Sequence, residues 1–305
     1  MAAVILAFAS AACFGANNVV IRRGVLRVSP NYFSFVSISF SPLYFLVVAT
    51  VSGEIFRLGQ VPWQGYAFFV AAGVVNFALG RTFSLRAIQL IGSNRSNTIV
   101  GLFPVPGTIL AMLVLQETLT PWMVIGIIVS LCGPVVIALK EETVDKAAHL
   151  PGRVVGREID RRALYQGMLY GAGASLFFGA SPIFIKMGVE NGSSSIIGIL
   201  TAYTAAALAV SPALLARETR EEMFGFDGKP FRLIFISVLA SSTAQLLRYL
   251  AFEYGTVIAV GWVERTYPVW VLLFAFIFNR RLESFSRWVL LGNALLLIGT
   301  ILVVL

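Results

Sequence analysis

The sequence alternates long apolar stretches with shorter polar connections. Stretches of roughly 18 to 25 apolar residues are long enough to cross the hydrocarbon core of a bilayer as helices. Ten such stretches predict ten transmembrane helices, near residues 2–21, 32–52, 63–90, 94–116, 121–140, 163–187, 194–214, 231–254, 256–279 and 286–305. Longer hydrophilic interruptions at 141–162 and 215–230 are predicted to be solvated loops.

The two halves of the chain repeat one pattern. The Phe-Gly-Ala motif at residues 14–16 recurs 164 residues later at 178–180, and Pro104 recurs as Pro268. A shift of 166 residues then pairs Glu117 with Glu283, Gly126 with Gly292 and Gly133 with Gly299. Each half holds five spans, and an odd number inserts the second half upside down, so the pattern predicts an inverted repeat around a central cavity. The predicted organisation is a first repeat at 1–140, a hydrophilic linker at 141–162 and a second repeat at 163–305.

Composition indicates an all-α membrane protein, since 58% of the residues are hydrophobic, 12% are charged and the mean hydropathy is +0.84. The formal charge of +8 comes largely from connections, so it reports orientation in the lipid bilayer and implies no nucleic-acid partner. Cys13 and Cys132 lie in separate apolar spans and indicate neither a disulfide nor a metal site. No cofactor is expected. Asn17 and Asn18 interrupt the first span, which we interpret as a retained helix rather than a cleaved signal peptide.

Basic residues are distributed unevenly among the connections. Those after odd-numbered spans hold sixteen Lys and Arg residues, whereas those after even-numbered spans hold two, Arg57 and Lys186. By the positive-inside rule the odd-numbered connections face the cytoplasm, which places both chain termini outside.

The ninth span carries an acid and a base in adjacent positions, Glu264 and Arg265. They lie roughly 12 Å from the nearest helix end, at about 1.5 Å per residue, and charges at that depth are too costly to face lipid. We therefore expect both to line a substrate path. Glu264 is the candidate for proton coupling, because burial disfavours a charged carboxylate while nearby guanidiniums favour it. The alternative is a fixed ion pair of Glu264 with Arg248 or Arg265 that joins helices.

The eighth span places Ser241, Gln245 and Arg248 on one helical face. In the other half, Arg81 occupies the equivalent face about one turn out of register. Two guanidiniums on opposed halves would make a clamp for a carboxylate or phosphate group, because arginine offers forked donors that match such groups. The alternatives are internal pairing, or snorkelling of the long side chain towards the interface.

Five further residues are candidates for the cavity wall: Asn17, Asn76, Asn97, Trp262 and Tyr267. Asn17 and Asn76 would serve equally as interhelical hydrogen-bond partners, and the two aromatic residues as packing.

Small and acidic residues near the fifth and tenth spans are given structural roles. Glu117 and Glu283 would be stabilised by free N–H groups at a helix N-terminus. The glycine pairs at 126 and 133 and at 292 and 299 predict close packing, either between the fifth and tenth spans or across a homodimer.

The five-span halves, the repeated Phe-Gly-Ala motif with Arg22 and Lys186 beyond it, and the repeated proline, glutamate and glycine positions resemble the EamA-like family of the drug/metabolite transporter superfamily. The resemblance implies a ten-helix inverted-repeat carrier in a bacterial plasma membrane, with a central cavity and no enzymatic activity. Members export amino acids and other metabolites, and related branches carry sugar phosphates or nucleotide sugars. Members are usually drawn with their termini inside, whereas the loop charges of this chain place them outside.

These observations predict a secondary or facilitative transporter that works by alternating access. Embedded arginines outnumber embedded carboxylates, which favours a small metabolite with a negative group, such as an amino acid, an organic acid or a phosphorylated metabolite. The alternatives are a flippase for an anionic lipid-linked headgroup and a broad drug or metabolite exporter. No metalloprotease motif and no phosphate-binding loop are present in the sequence, which disfavours an intramembrane enzyme and an ATP-driven pump.

Overall fold

A computed structural model describes residues 1–24, 30–147, 161–212, 231–278 and 286–305. Within these ranges the chain is helical and contains no β-strand. The α-helices are α1 (Ala2–Gly24), α2 (Pro30–Val51), α3 (Trp63–Gly73), α4 (Arg81–Ile91), α5 (Ser93–Val100), α6 (Pro104–Val114), α7 (Pro121–Ala147), α8 (Arg161–Glu190), α9 (Ser195–Val210), α10 (Phe231–Tyr254), α11 (Val257–Glu264), α12 (Tyr267–Phe278) and α13 (Arg287–Val304). A 3₁₀ helix (Glu54–Gln60) follows α2, and a π-helix (Val74–Gly80) joins α3 to α4.

Seven helical spans in the described residues are long and apolar enough to cross a membrane, and an eighth counts if Phe35–Val51 and Glu54–Gln60, which meet at 95°, are taken as one. Two shorter apolar helices, Pro121–Val136 and Ser195–Val210, coincide with the predicted fifth and seventh spans. The protein is therefore a multi-pass membrane protein.

Three of the predicted spans are interrupted. The third passes through the π-helix, the fourth breaks between α5 and α6, and the ninth breaks at Arg265 and Thr266. Pro104 is the first residue of α6 and Pro268 the second residue of α12. Proline is tolerated in a first helical turn because its missing N–H has no partner there in any case. The prolines therefore lie in the first turns of the second segments of these spans.

The predicted linker at 141–162 is partly helical. Helix α7 continues to Ala147 and α8 begins at Arg161, so regular structure extends into both ends of that segment. The predicted loop at 215–230 lies outside the described residues.

Helix packing buries a large apolar cluster. Helix α1 packs on α10, α8 packs on α3 and α4, α2 packs on α9, and α7 packs on α13. The cluster includes Phe45, Phe69, Tyr249 and Phe252, whose side chains are buried, and Tyr203 contacts the ring of Phe45. Because lipid tails are as apolar as these rings, the rings stabilise a membrane bundle through close van der Waals packing rather than through removal from water.

Candidate functional site

An acid and a base meet at the break in the ninth span. Glu264 is the last residue of α11, and its Oε2 lies 3.0 Å from Nε of Arg248 on α10. The hydroxyl of Ser10 on α1 donates to Oε1 of Glu264 at 2.9 Å. Both charged side chains are buried, with Glu264 5% exposed. Nε of Arg248 nonetheless lacks a well-directed hydrogen bond, so the attraction between the two charges is mainly coulombic.

Arg265 lies between the two halves of the chain, and its side chain is 7% exposed. Its guanidinium rests on Gly101, the residue that the 164-residue shift pairs with it, at the carbonyl end of α5. The dipole of α5 favours a cation there. Among the described residues, no carboxylate lies within 4 Å of this guanidinium.

Arg81 and Arg248 both lie close enough to Tyr203 of α9 to interact electrostatically with its phenol. Arg81 starts α4, directly after the π-helix, and it takes part in further interactions. Arg248 is committed to Glu264 and lies 5.6 Å from the ring centroid of Phe252. The internal pairing that the sequence allowed as an alternative is therefore present at Arg248, while the two-arginine clamp stays a prediction.

A row of polar contacts, here called the hydroxyl row, joins α10 to α1 and α2. It comprises Ser237 with Asn17 at 2.6 Å, Ser241 with Ser37 at 3.0 Å, Ser242 with Ser41 at 2.8 Å and Thr243 with Tyr44 at 2.9 Å. Such contacts satisfy hydroxyl and amide groups within the membrane and hold helices together. Asn17 therefore makes the interhelical hydrogen bond that the sequence allowed as an alternative, and Ser241 makes one as well.

Gln245 continues the polar face of α10 towards Arg248. Its side chain is buried, and its Oε1 has no hydrogen-bond partner in the part of the chain that the structure describes. A buried carbonyl oxygen without a donor costs free energy, roughly 1–3 kcal/mol in typical proteins. This oxygen can accept a hydrogen bond from water or from a bound molecule, which makes Gln245 the candidate with a free acceptor.

The remaining candidates lie in different surroundings. Trp262 is 1% exposed, and its Nε1 donates to Oγ1 of Thr108 at 3.0 Å, so it serves packing in this conformer. Asn76 is buried within the π-helix, Asn97 is exposed on α5, and Tyr267 is half-buried at the start of α12. The structure therefore pairs Arg248 with Glu264, whose neighbour in the chain is Arg265.

The whole chain can be compared with known proteins. A model of the EamA-like transporter family matches residues 1–139 and 165–305. The chain belongs to this family. EamA-like proteins are membrane transporters of small molecules rather than enzymes, so the expectation drawn from the repeated motifs is confirmed at that level.

A solved structure titled "Crystal structure of protein" shares the fold of this EamA-like chain. It superposes with a TM-score of 0.77 at 14% sequence identity, over 98% of this chain and 94% of that chain. At that identity the likeness concerns the fold alone. No curated protein matches the sequence.

Two features of this EamA-like chain were not found from sequence. Ser10 is a small hydroxyl among alanines of α1, and nothing in its spacing indicates contact with Glu264. Glu117 was expected at the approach to the fifth span, but its carboxylate instead accepts from the N–H groups of Val257 and Ile258, which open α11. Its role is structural, as expected, but at a different helix. Glu283 lies outside the described residues.

The glycine pairs of the fifth and tenth spans meet within one chain. A Cβ at Gly126 would collide with the backbone of Gly299, and one at Gly133 with the backbone of Gly292. This contact is the first of the two alternatives that the sequence allowed, close packing between the fifth and tenth spans of one chain. The homodimer stays a prediction. In the structure these four glycines already pack against one another within the chain.

Proposed function

We propose that this protein is a secondary or facilitative transporter that moves a small metabolite with a negative group, with two inverted five-helix halves alternating in access around Arg265. The observation that carries the proposal is the buried guanidinium of Arg265, which has no carboxylate within 4 Å among the described residues. Arg248 and Glu264 neutralise each other, so Arg265 keeps a positive charge that a carboxylate or phosphate group can bind.

The pattern of helix packing supports the inverted repeat. The repeat relates α1 to α8, and it relates α10 to the span formed by α3 and α4. The contact of α1 with α10 therefore corresponds to the contact of α8 with α3 and α4. The same relation turns the contacts of α1 with α11 and α12 into those of α8 with α5 and α6, and it leaves α2 with α9 and α7 with α13 unchanged. A two-fold relation between the halves would produce this pattern.

Individual glycines support the same relation. A Cβ at Gly15 would collide with Trp270, and a Cβ at the equivalent Gly179 would collide with Phe103 and lie close to Pro106. Trp270 and Pro106 are themselves related by the 164-residue shift. Because Arg265 rests on its own repeat mate, Gly101, it lies where the proposed two-fold axis would pass. Substrate sites of inverted-repeat carriers lie at this kind of interface, beside broken helices.

Four connections would share one membrane face, here called the short-loop face: 52–62, 115–120, 191–194 and 255–256. Contacts support this grouping, since Glu117 binds Val257, Lys186 binds the carbonyl of Gly255, and a Cβ at Gly65 would meet Ser193. With the basic residues concentrated in the other connections, the short-loop face would be the outer face of a plasma membrane.

The test is transport by purified protein in liposomes. A thermal-shift screen against amino acids, organic acids and sugar phosphates selects ligands, and counterflow then measures transport. We expect Arg265→Gln to reduce transport at least about tenfold, equivalent to about 1.4 kcal/mol, while Arg265→Lys retains part of it. Arg57→Gln is the matched control, because it removes an exposed arginine that is paired only with Glu54 among the described residues. Undiminished transport by Arg265→Gln, or equal transport of uncharged analogues, would refute the anion site.

A further inference from the structure

The connection between α10 and α11 is held on one side by a lysine. Nζ of Lys186, on α8, donates to the backbone carbonyl oxygens of Phe252 and Gly255, both at 3.1 Å. Those carbonyls lie at the C-terminal end of α10, where backbone oxygens lack intrahelical partners and the helix dipole favours a cation. The carboxylate of Glu190 is 3.9 Å away but is largely exposed, so its contribution is small.

The other side of this connection is held by a carboxylate. Oε1 of Glu117 accepts from N–H of Val257 at 2.6 Å, and Oε2 accepts from N–H of Ile258 at 3.0 Å. These are free N–H groups of the first turn of α11, where the dipole favours an anion. Two opposite charges therefore hold the short connection formed by Gly255 and Thr256. The lysine binds the C-terminal end of α10 and the carboxylate binds the N-terminal end of α11, and each charge is the one that the helix dipole favours there.

Apolar packing closes the structure beneath these contacts. Phe252 and Tyr249 on α10 are buried together with Phe45 and Phe69, and a Cβ at Gly255 would meet Ala3 of α1. The hydroxyl row lies nearer the opposite end of α10. The short-loop face is therefore sealed in this conformer, and passage through it requires α10 and α11 to separate from the elements that carry Lys186 and Glu117.

We propose that Lys186 and Glu117 form a charge latch that holds the short-loop face closed and releases when that face opens. The inference rests on the alternating access proposed above. Glu117 belongs to the first half of the chain and α11 to the second, so relative motion of the halves breaks this contact. Lys186 and the carbonyls it binds both belong to the second half, where they hold the end of α10 against α8. Charge-assisted hydrogen bonds at the edge of the membrane suit such a role, because water can replace them when they part. An apolar contact alone would provide no directed partner on reclosing.

The test measures access with a membrane-impermeant maleimide on protein in lipid nanodiscs, in a Cys13→Ser, Cys132→Ala background. Ser195→Cys reports on the short-loop face, because Ser195 is fully buried at the start of α9 and its hydroxyl binds the carbonyl of Tyr249. Ser37→Cys, in the hydroxyl row, reports on the opposite end. In the Lys186→Met and Glu117→Gln variants we expect labelling at position 195 to rise at least about tenfold and labelling at position 37 to fall.

Matched variants separate a latch from general loosening. Lys186→Arg keeps the cation and should leave both labelling rates near those of the parent, as should Glu190→Gln, which removes the neighbouring charge without touching the connection. Unchanged labelling at position 195, or a rise at both positions, would overturn the proposal, the second because it indicates a loosened fold. If Lys186→Met does not fold, Glu117→Gln, which preserves the side-chain shape, decides the outcome. No substrate is needed, so failure of the anion site and failure of the latch are distinguishable.

Discussion

The guanidinium of Arg265 lies directly against Gly101, so that a Cβ added at Gly101 would come within 2.6 Å of Nη2 and 3.0 Å of Nη1. The two residues occupy equivalent positions in the two halves, one the longest cationic side chain and the other no side chain at all. The absence of a side chain on one half is what makes room for the charge of the other. A Cβ at Gly101 would also lie 2.8 Å from the backbone oxygen of Asn97, and the flexible guanidinium is the group that can move away.

The first prediction follows from this contact. Gly101→Ala should move the guanidinium out of position and reduce transport at least about tenfold, as expected when a charged binding group is misplaced by about 1 Å. Gly261→Ala is the matched control, because a Cβ there meets nothing within 4 Å. Counterflow in liposomes measures transport, and thermal unfolding in detergent verifies that both variants are folded. Equal transport by the two variants would show that the position of Arg265 is unimportant.

The second prediction concerns the ion pair of Arg248 with Glu264. Removing one member leaves the other as an uncompensated buried charge, which typically costs about 3–5 kcal/mol, whereas replacing both with apolar side chains removes that penalty. We expect Arg248→Met and Glu264→Leu each to lower the unfolding temperature more than the double variant does. The measurement is thermal unfolding of all four proteins in one detergent. Additive effects would mean that the two charges are not coupled in the folded protein.

A third prediction addresses proton coupling. Glu264 is a buried carboxylate in contact with Ser10 and Arg248, and we predict that it exchanges a proton for the charge of a bound substrate. In liposomes with an imposed pH gradient, Glu264→Gln should abolish gradient-driven accumulation while leaving counterflow measurable, because glutamine carries no proton. Ser10→Ala, which removes only the hydrogen bond, should retain accumulation. An undiminished response of Glu264→Gln to the gradient would assign coupling to another group.

The sequence predicted an all-helical membrane protein because bilayer thickness requires long apolar helices, and seven or eight of the described helical spans meet that requirement. Length and hydropathy do not report a break that falls within a span, so the π-helix at 74–80 and the breaks near Gly101 and Arg265 were missed, although Pro104 and Pro268 were noted as repeated positions. The adjacent charges of the ninth span were recognisable because embedded charges are rare and need partners. The partner of Glu264 could not be recognised from the sequence, because both Arg248 and Arg265 were candidates. Only helix packing brings Arg248 to Glu264.

Interhelical hydroxyl contacts were also beyond the sequence. Ser37, Ser41 and Tyr44 lie on a span whose apolar background gives no directional signal, and their partners are some 200 residues away in sequence. Repeat symmetry gave no help, because the positions of α3 and the π-helix that match the row on α10 carry glycine and apolar residues. The hydroxyl row therefore has no counterpart at the positions that the repeat relates to it, and symmetry can predict only what both halves share.

The last prediction concerns the contact of α7 with α13. Gly133 approaches the backbone oxygen of Gly292 so closely that no side chain fits between the helices. Gly133→Ala should separate them and lower the free energy of unfolding by about 1–3 kcal/mol, the usual cost of overpacking. Gly59→Ala is the control, because a Cβ there meets nothing within 4 Å. Thermal unfolding measures the difference between the two variants, and light scattering reports their mass. If Gly133→Ala lowers the particle mass without changing the unfolding temperature, this glycine contact lies at the interface of a dimer and not within one chain.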